Sequence, residues 1–93
     1  ISAEPLIAPI ETLDLTGISW LIAGGESGGG SRSCDPDWIR SLIRQCEAAG
    51  TAVFVKQMGS VWARENGADP KGGDPSYWPA DLQVREFPAA VIS

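Results

Sequence analysis

Two short apolar stretches flank one amphipathic segment, and this order limits the possible folds of the chain more than any other feature. Residues 18–23 and 51–55 are rich in amino acids that favour β-strands. Between them, Asp35 is suited to the N-cap of a helix over residues 36–49, and Gly50 is suited to the position just after it. A strand, a glycine-rich loop, a helix, a glycine and a second strand form the order of a parallel βαβ unit. We therefore predict an α/β fold.

The predicted helix has one apolar face, and the strands beside it are almost wholly apolar. The apolar helical residues recur at the i, i+3, i+4 and i+7 positions, namely Ile39, Leu42, Ile43 and Cys46. Strands of this kind are typical of a parallel sheet that is covered on both faces. One helix covers only one face. The second cover is therefore expected from the aromatic residues of the C-terminal part, from a missing N-terminal part of the same protein, or from a second copy of the chain.

The start of the chain favours a further strand. Residues 1–7 contain several apolar amino acids, but Pro5 cannot donate a backbone hydrogen bond and so restricts such a strand to a sheet edge. The sequence begins with Ile1 and shows no signal-peptide pattern. We take this as an indication of a fragment or a processed product.

The C-terminal part has little regular structure by its composition. Residues 66–79 are dense in glycine, proline, aspartate and asparagine, which predicts loop. Residues 82–87 are weakly strand-like, and Pro88 ends them. We therefore expect a single α/β unit with a strand-βαβ core over residues 1–65 and a loop-rich tail over residues 66–93.

Composition and charge argue against several functional classes. Seven lysines and arginines against twelve aspartates and glutamates give a net charge of −5, without a basic run, so strong nucleic-acid binding is not expected. The chain has no histidine, and Cys34 and Cys46 alone form no metal-ligand set. The longest apolar run is far short of the ~20 residues of a membrane helix. We expect a cytoplasmic protein with reduced thiols, no metal and no membrane segment.

A glycine-rich loop follows the first apolar stretch, from Gly24 to Ser33. It lies beyond the carboxyl end of a predicted parallel strand, which is where α/β proteins bind ligands. Its bare backbone amides, at Gly24, Gly25, Glu26 and Ser27, are candidates for contact with an anion or a cofactor. The spacing fits neither a P-loop nor a dinucleotide motif, so a flexible crossover loop is an equal alternative.

Charged and polar residues are predicted to meet at the carboxyl ends of the strands. We expect one pocket at this edge of the sheet, here called the mouth, lined by Glu4, Glu26, Lys56 and Gln57. A lysine between two carboxylates can hold a substrate there or act as an acid-base group. A structural ion pair is the alternative for this group. Arg32, just ahead of the helix, is a candidate ligand for a phosphate or carboxylate, with a solvated loop arginine as its alternative.

Cysteine and tryptophan residues complete the set of candidates. Cys34 is next to the helix N-cap, where a thiolate is favoured, but no histidine is present to act as its base. Trp20 and Trp38 are expected to supply core area rather than to stack on a ligand. Trp62 and Trp78 are candidates for pairing with another chain.

Five blocks of the sequence resemble the C-terminal third of the phage gp thirty-seven/gp sixty-eight family, a domain of unknown function. These blocks follow the order and spacing of the family over nearly the whole chain: SAEPL, ISWLIAGGESG, DPDWIRSLIRQC, VFVKQMG and WPADLQVREFP. Members of that family are similar to radical S-adenosylmethionine enzymes, in which an N-terminal three-cysteine cluster binds a [4Fe–4S] centre and the chain forms a partial (β/α) barrel. The resemblance thus implies that this chain is a C-terminal piece of such a barrel.

The resemblance also implies roles for residues and for a partner. By position, the strand-end motifs of the family correspond to Glu4, Gly24, Gly25, Glu26, Ser27, Lys56 and Gln57. The chain departs from the family at Cys34 and at Met58, and it lacks the cluster cysteines. S-adenosylmethionine and the [4Fe–4S] cluster are therefore implied only for the full-length parent, and the chain alone is expected to hold no cofactor and to be inactive. The partner implied is the missing N-terminal part of its own barrel, or a second copy.

Two other functions stay open at this point. The first is a small anion- or nucleotide-binding module, in which residues 24–30 and Arg32 hold the ligand without chemistry. The second is a protein-interaction fragment, in which an exposed sheet face and the tryptophans pair with another chain.

Overall fold

A computed structural model describes residues 1–88 of the chain, so the last five residues of the predicted tail lie outside the described part. Three strands form one parallel sheet in the order β1-β2-β3. The elements are β1 (Ser2–Ala3), β2 (Trp20–Gly24), helix α1 (Pro36–Ala49), β3 (Ala52–Gln57), helix α2 (Ser60–Asn66), and two 3-10 turns at Pro75–Tyr77 and Ala80–Leu82. The predicted α/β class and the parallel βαβ unit are confirmed.

Helix α1 begins and ends where its capping residues predict. The Asp35 carboxylate accepts a hydrogen bond from the Asp37 backbone N–H at 2.9 Å, and Pro36 occupies the first helical position. Gly50 ends the helix in the left-handed conformation, with φ of 72°, and its N–H donates to the carbonyls of the last turn. These signals are local in sequence, which is why they locate both helix ends.

Alternation along the strands divides the sheet into a covered face and an open face. Helix α1 packs on β2 and β3 through its predicted apolar residues, which are all buried. The strand residues that share this core are Leu21, Ala23, Val53 and Val55. Trp20, Ile22 and Phe54 alternate with them and are only half-buried. They belong to the open face.

Strand β1 lies at the sheet edge, as Pro5 predicts, but it is shorter than expected. Only Ser2 and Ala3 pair with β2. The strand stops before Pro5 because proline offers no backbone donor there. Leu6 nevertheless donates its N–H to the Gly24 carbonyl at 2.8 Å and is buried, which fastens this segment to the end of β2.

The tail folds back on the core. Trp78 and Leu82 are 4% and 0% exposed and belong to the same core as α1. Val84 accepts a hydrogen bond from the Val55 N–H at 2.8 Å, and a single antiparallel bridge joins Arg85 to Phe54. The strand-like stretch over 82–87 therefore reduces to one bridge at the outer edge of β3.

Helix α2 has no counterpart in the sequence predictions. It spans only seven residues, and Gly59 at its N-cap has no side chain to cap it. Gly67 ends it with φ of 65°. A helix this short has too few turns to show a periodic pattern, and it is held by tertiary packing at Ser60 and Ala63, which are buried.

Candidate functional site

A cavity of about 950 Å³ lies over the open face of the sheet and extends from Trp20, at the start of β2, to the carboxyl ends of the strands. Its polar lining includes Glu4, Glu26, Ser27, Lys56 and Gln57. The structure thus places the four strand-end residues of the predicted mouth around one cavity. Gly25 also lines it, whereas Gly24 and Arg32 do not.

The floor of the cavity is aromatic and aliphatic. Trp20, Ile22 and Phe54 rise from the open face, and Phe87 from the tail lies beside them. The ring centroids of Trp20, Phe54 and Phe87 are 5.6 to 6.2 Å apart, a normal spacing for packed aromatic pairs. These three rings, the aromatic cluster, form an apolar surface. Phe87 is 70% exposed, so the surface is open to a further molecule.

Lys56 pairs with Glu4 and not with both carboxylates. Its Nζ atom lies 3.2 Å from Glu4 Oε1, and the two side chains are 55% and 22% exposed. Glu26 is engaged elsewhere. The geometry is therefore that of a partly solvated ion pair at the ends of β1 and β3, and the ammonium has donors left for a second acceptor.

Glu26 is held by Arg32 within its own loop. Arg32 donates its backbone N–H to Oε1 at 2.8 Å and its guanidinium to both oxygens at 3.0 and 2.8 Å. The hydrogen bonds from the Arg32 side chain, followed by the one from its backbone, lower the pKa of Glu26 from 4.5 to about 2. Glu26 is thus ionised at neutral pH and cannot serve as a general acid there.

The ion pair with Glu26 limits what else Arg32 can bind. Its guanidinium already contacts a carboxylate in a two-point geometry, which is the strongest arrangement available to it. A phosphate would compete with Glu26 for the two guanidinium nitrogens that hold it. Arg32 therefore closes the loop over residues 26–32 through its ion pair with Glu26, and this pair is here called the clasp.

The first two glycines of the loop are explained by close packing of the chain. Gly25 and Gln57 form two hydrogen bonds with each other. The Gly25 N–H donates to the backbone carbonyl of Gln57 at 3.0 Å, and the buried side-chain amide of Gln57 donates to the Gly25 carbonyl at 2.7 Å. A Cβ atom on Gly24 would lie 3.3 Å from Gln57 Cγ and 3.5 Å from Glu4 Cδ. Gln57 is thus a structural clamp as well as a cavity-lining residue.

Cys34 is not placed to form a thiolate. It is 5% exposed, and burial, followed by the charge of Asp35, raises the pKa of its thiol to about 11. The expectation of a favoured thiolate beside the N-cap is wrong because desolvation outweighs the helix terminus. Cys46 is buried in the core as predicted, and both cysteines are free.

The tryptophans are distributed differently from the prediction. Trp38 and Trp62 are half-buried against the edge of the core, while Trp78 lies inside it and donates its indole N–H to the Gly72 carbonyl at 2.9 Å. Trp20, expected in the core, lies on the open face and donates to the Glu86 carbonyl at 2.9 Å. Side-chain alternation along β2 causes this, since Leu21 takes the position that faces α1.

Sequence reasoning missed the contribution of Arg85 and Phe87 to the cavity. Arg85 reaches across the edge of β3, where its guanidinium donates to the carbonyls of Val55, Lys56 and Gly73 at 2.9 to 3.2 Å. The guanidinium carbon of Arg85, Cζ, lies 5.0 Å from the centre of the Phe54 ring. These hydrogen bonds join residues 12 to 30 positions apart, so no local sequence pattern predicts them.

Two other kinds of site have no counterpart in residues 1–88. None of the helices there has the length and apolar character needed to cross a membrane. In the same described range, no group of three or more histidine, cysteine, aspartate or glutamate side chains is arranged to hold a metal ion.

Comparison with known proteins places the chain in a family. Residues 1–85 match a family described as a protein of unknown function (DUF5131). The chain belongs to this family. None of the curated proteins and none of the solved structures matches it.

The DUF5131 match includes every candidate residue from Glu4 to Arg85. Phe87 lies just beyond the matched range. The description of the family names no activity, no phage role and no radical chemistry.

Proposed function

We propose that the chain supplies the C-terminal strands of a small-molecule site in a larger, radical-SAM-like protein of phage type. The observation that carries this proposal is the convergence of Glu4, Glu26, Lys56 and Gln57 on one cavity at the carboxyl ends of three parallel strands. Ligands of α/β proteins bind at this end of the sheet. The volume of about 950 Å³ is in the range of small-molecule pockets, which is roughly 300 to 1,000 Å³.

The open sheet supports a role within a larger barrel. Helix α1 covers one face, and the other face carries the cavity with a largely apolar floor. A three-stranded parallel sheet with one face open is incomplete by the rules for such sheets, which are covered on both sides. In this proposal, preceding strands of the same protein continue the sheet beyond β1 and enclose the mouth.

The cofactor proposed for this mouth is S-adenosylmethionine. In this proposal the end of β2, with Gly25, Glu26 and Ser27, faces the cofactor, and Glu4, Lys56 and Gln57 face the substrate. Glu26 is ionised and already paired with Arg32, so in this proposal it positions the loop beside the cofactor. When bound, the cofactor supplies the adenosyl group for radical chemistry.

The residues of this chain do not fit a [4Fe–4S] cluster. Such clusters are held by cysteine thiolates, whereas Cys34 and Cys46 are buried and the pKa of Cys34 is raised to about 11. In this proposal the cluster ligands belong to a preceding part of the parent protein, and the chain alone is inactive.

Anaerobic iron and sulfide analysis of the product of the complete reading frame tests this function. About four irons per chain, together with S-adenosylmethionine binding that weakens on Ser27→Trp, would support it. Ser27 is exposed and lines the cavity, so a large side chain there blocks the mouth without disturbing the core. Ser76→Trp, on the exposed 3-10 turn of the tail, is the matched control. An iron-free product that does not bind S-adenosylmethionine would overturn the proposal.

Pairing with another protein is a second candidate, favoured by the 70% exposure of Phe87 within the aromatic cluster. Large exposed apolar residues that cluster together are typical of interaction surfaces. Sedimentation of the chain at increasing concentration tests it, with Phe87→Ser expected to abolish association. Tyr77→Ser, which removes an aromatic ring of 52% exposure in the tail, is the control. Trp78 is not a suitable probe because it is buried in the core.

A further inference from the structure

Charges around the mouth are matched except at one residue. Glu4 pairs with Lys56, and Glu26 pairs with Arg32. Arg85 also lines the cavity, yet no carboxylate of residues 1–88 lies within 4.0 Å of its guanidinium. Arg85 is therefore a cation of the mouth without a carboxylate partner among residues 1–88, although the chain as a whole has a net charge of −5.

The contacts of Arg85 hold its side chain in place without neutralising it. Three hydrogen bonds go to uncharged backbone carbonyls, from Nε and from one terminal nitrogen. The guanidinium also lies between two aromatic rings, 5.0 Å from Phe54 and 5.1 Å from Trp78. The other terminal nitrogen, Nη1, forms no hydrogen bond within the described residues. It has two N–H donors left, either of which can donate to one oxygen of a carboxylate.

An apolar surface lies directly beside this cation. Phe54 contributes both to the aromatic cluster and to the face on which Arg85 rests. A ligand that lies on the aromatic cluster therefore has its edge near Arg85, and Lys56 stands on the same side of β3 as Phe54. The site combines an apolar floor of mutually inclined rings with one cationic donor that is held in place.

We propose that the mouth binds a small aromatic carboxylate, with its ring on the aromatic cluster and its carboxylate at Arg85. This substrate class deepens the function proposed above and rests on the same mouth. It assigns Arg85 as a binding residue, and it separates the substrate side of the mouth from the end of β2 that faces the cofactor.

Titration of the chain with two ligands of the same shape tests the proposal. The probes are 2-naphthoate and its uncharged amide, 2-naphthamide, and the readout is the indole N–H resonance of Trp20. We expect 2-naphthoate to shift this resonance and to bind about tenfold or more tightly than the amide, since a hydrogen bond to a charged group contributes about 1.5 to 3 kcal/mol. Arg85→Gln should remove this preference while leaving amide binding unchanged.

Arg64→Gln provides the matched control, because Arg64 is exposed at the end of α2 and does not line the cavity. It should leave both affinities unchanged. If Arg85→Gln fails to fold, the salt dependence of the unmodified chain decides. Added salt should weaken 2-naphthoate binding and leave 2-naphthamide unaffected.

Equal affinities for acid and amide, or shifts confined to residues outside the mouth, would overturn the assignment. This result is distinguishable from failure of the proposed function. Loss of carboxylate selectivity leaves iron and S-adenosylmethionine binding of the parent protein untouched, and an iron-free parent leaves the selectivity of the mouth untouched.

Discussion

Gly25 lies against Met58 so closely that no other amino acid fits at this position without a shift. A Cβ atom on Gly25 would overlap the Met58 carbonyl oxygen and would lie 2.8 Å from its carbonyl carbon. Backbone atoms cannot rotate away as a flexible side chain can. The approach brings the ends of β2 and β3 together and thereby builds one wall of the mouth.

The first prediction compares two glycines of the same loop. Gly25→Ala should lower the free energy of unfolding by about 1 to 3 kcal/mol, because it overpacks against backbone. Gly29→Ala should change it by less than about 0.5 kcal/mol, since no other part of the described chain lies within 4 Å of that position. Urea denaturation of both variants measures the difference. Equal losses would contradict the close approach of Gly25 to Met58.

The second prediction concerns the clasp between Glu26 and Arg32 in acid. The pKa of Glu26 falls from 4.5 to about 2 on folding, so the clasp contributes fully above pH 4.5 and is lost as the pH falls toward 2. The side-chain carboxyl resonance of Glu26 should titrate with a midpoint near 2 in the unmodified chain and at a higher pH in Arg32→Gln, which removes the side-chain hydrogen bonds but keeps the backbone N–H of residue 32. Arg64→Gln should leave the midpoint unchanged. A midpoint near 4.5 in the unmodified chain would show that the pair does not form.

The third prediction concerns the Glu4–Lys56 pair. Lys56 is 55% exposed, so a double-mutant cycle with Glu4→Gln and Lys56→Met should give a coupling of only about 0.2 to 1 kcal/mol. Because the pair is solvated, about 1 M salt should reduce the coupling further. A control cycle that combines Glu4→Gln with Arg64→Gln should give no coupling. A salt-independent coupling well above this range would indicate a desolvated pair.

The fourth prediction tests whether the tail belongs to the core. Leu82→Ala should cost about 2 to 5 kcal/mol of unfolding free energy, because Leu82 is 0% exposed within the core around α1. Tyr77→Ala, at a residue that is 52% exposed, should cost far less. Thermal or chemical unfolding measures both. Similar small losses would mean that the tail does not dock as described.

The site is only partly visible in the sequence. The strand-end rule brings Glu4, Lys56 and Gln57 to one mouth because all parallel strands end at the same edge of the sheet. It does not predict which carboxylate pairs with Lys56. Arg32 pairs with Glu26, which is only six positions away, and Glu4 is left for a lysine 52 positions away. Arg85 reaches the mouth only after the tail has docked.

Local chemistry explains what the sequence determined by itself. The N-cap Asp35 and the terminal Gly50 act on their own backbone neighbours, so the bounds of α1 follow from residues inside or next to the helix. The parallel βαβ order follows from apolar patterns of the same range.

Tertiary structure decided the remainder, because burial and pairing depend on residues far apart in the chain. Trp20 and Trp78 are the same amino acid, yet one lies on the open face and the other inside the core. Side-chain alternation along β2 places Trp20 on the open face, and docking of the tail places Trp78 in the core. The seven residues of α2 form a helix because Ser60 and Ala63 are buried by packing, and a helix of that length has little stability of its own in water.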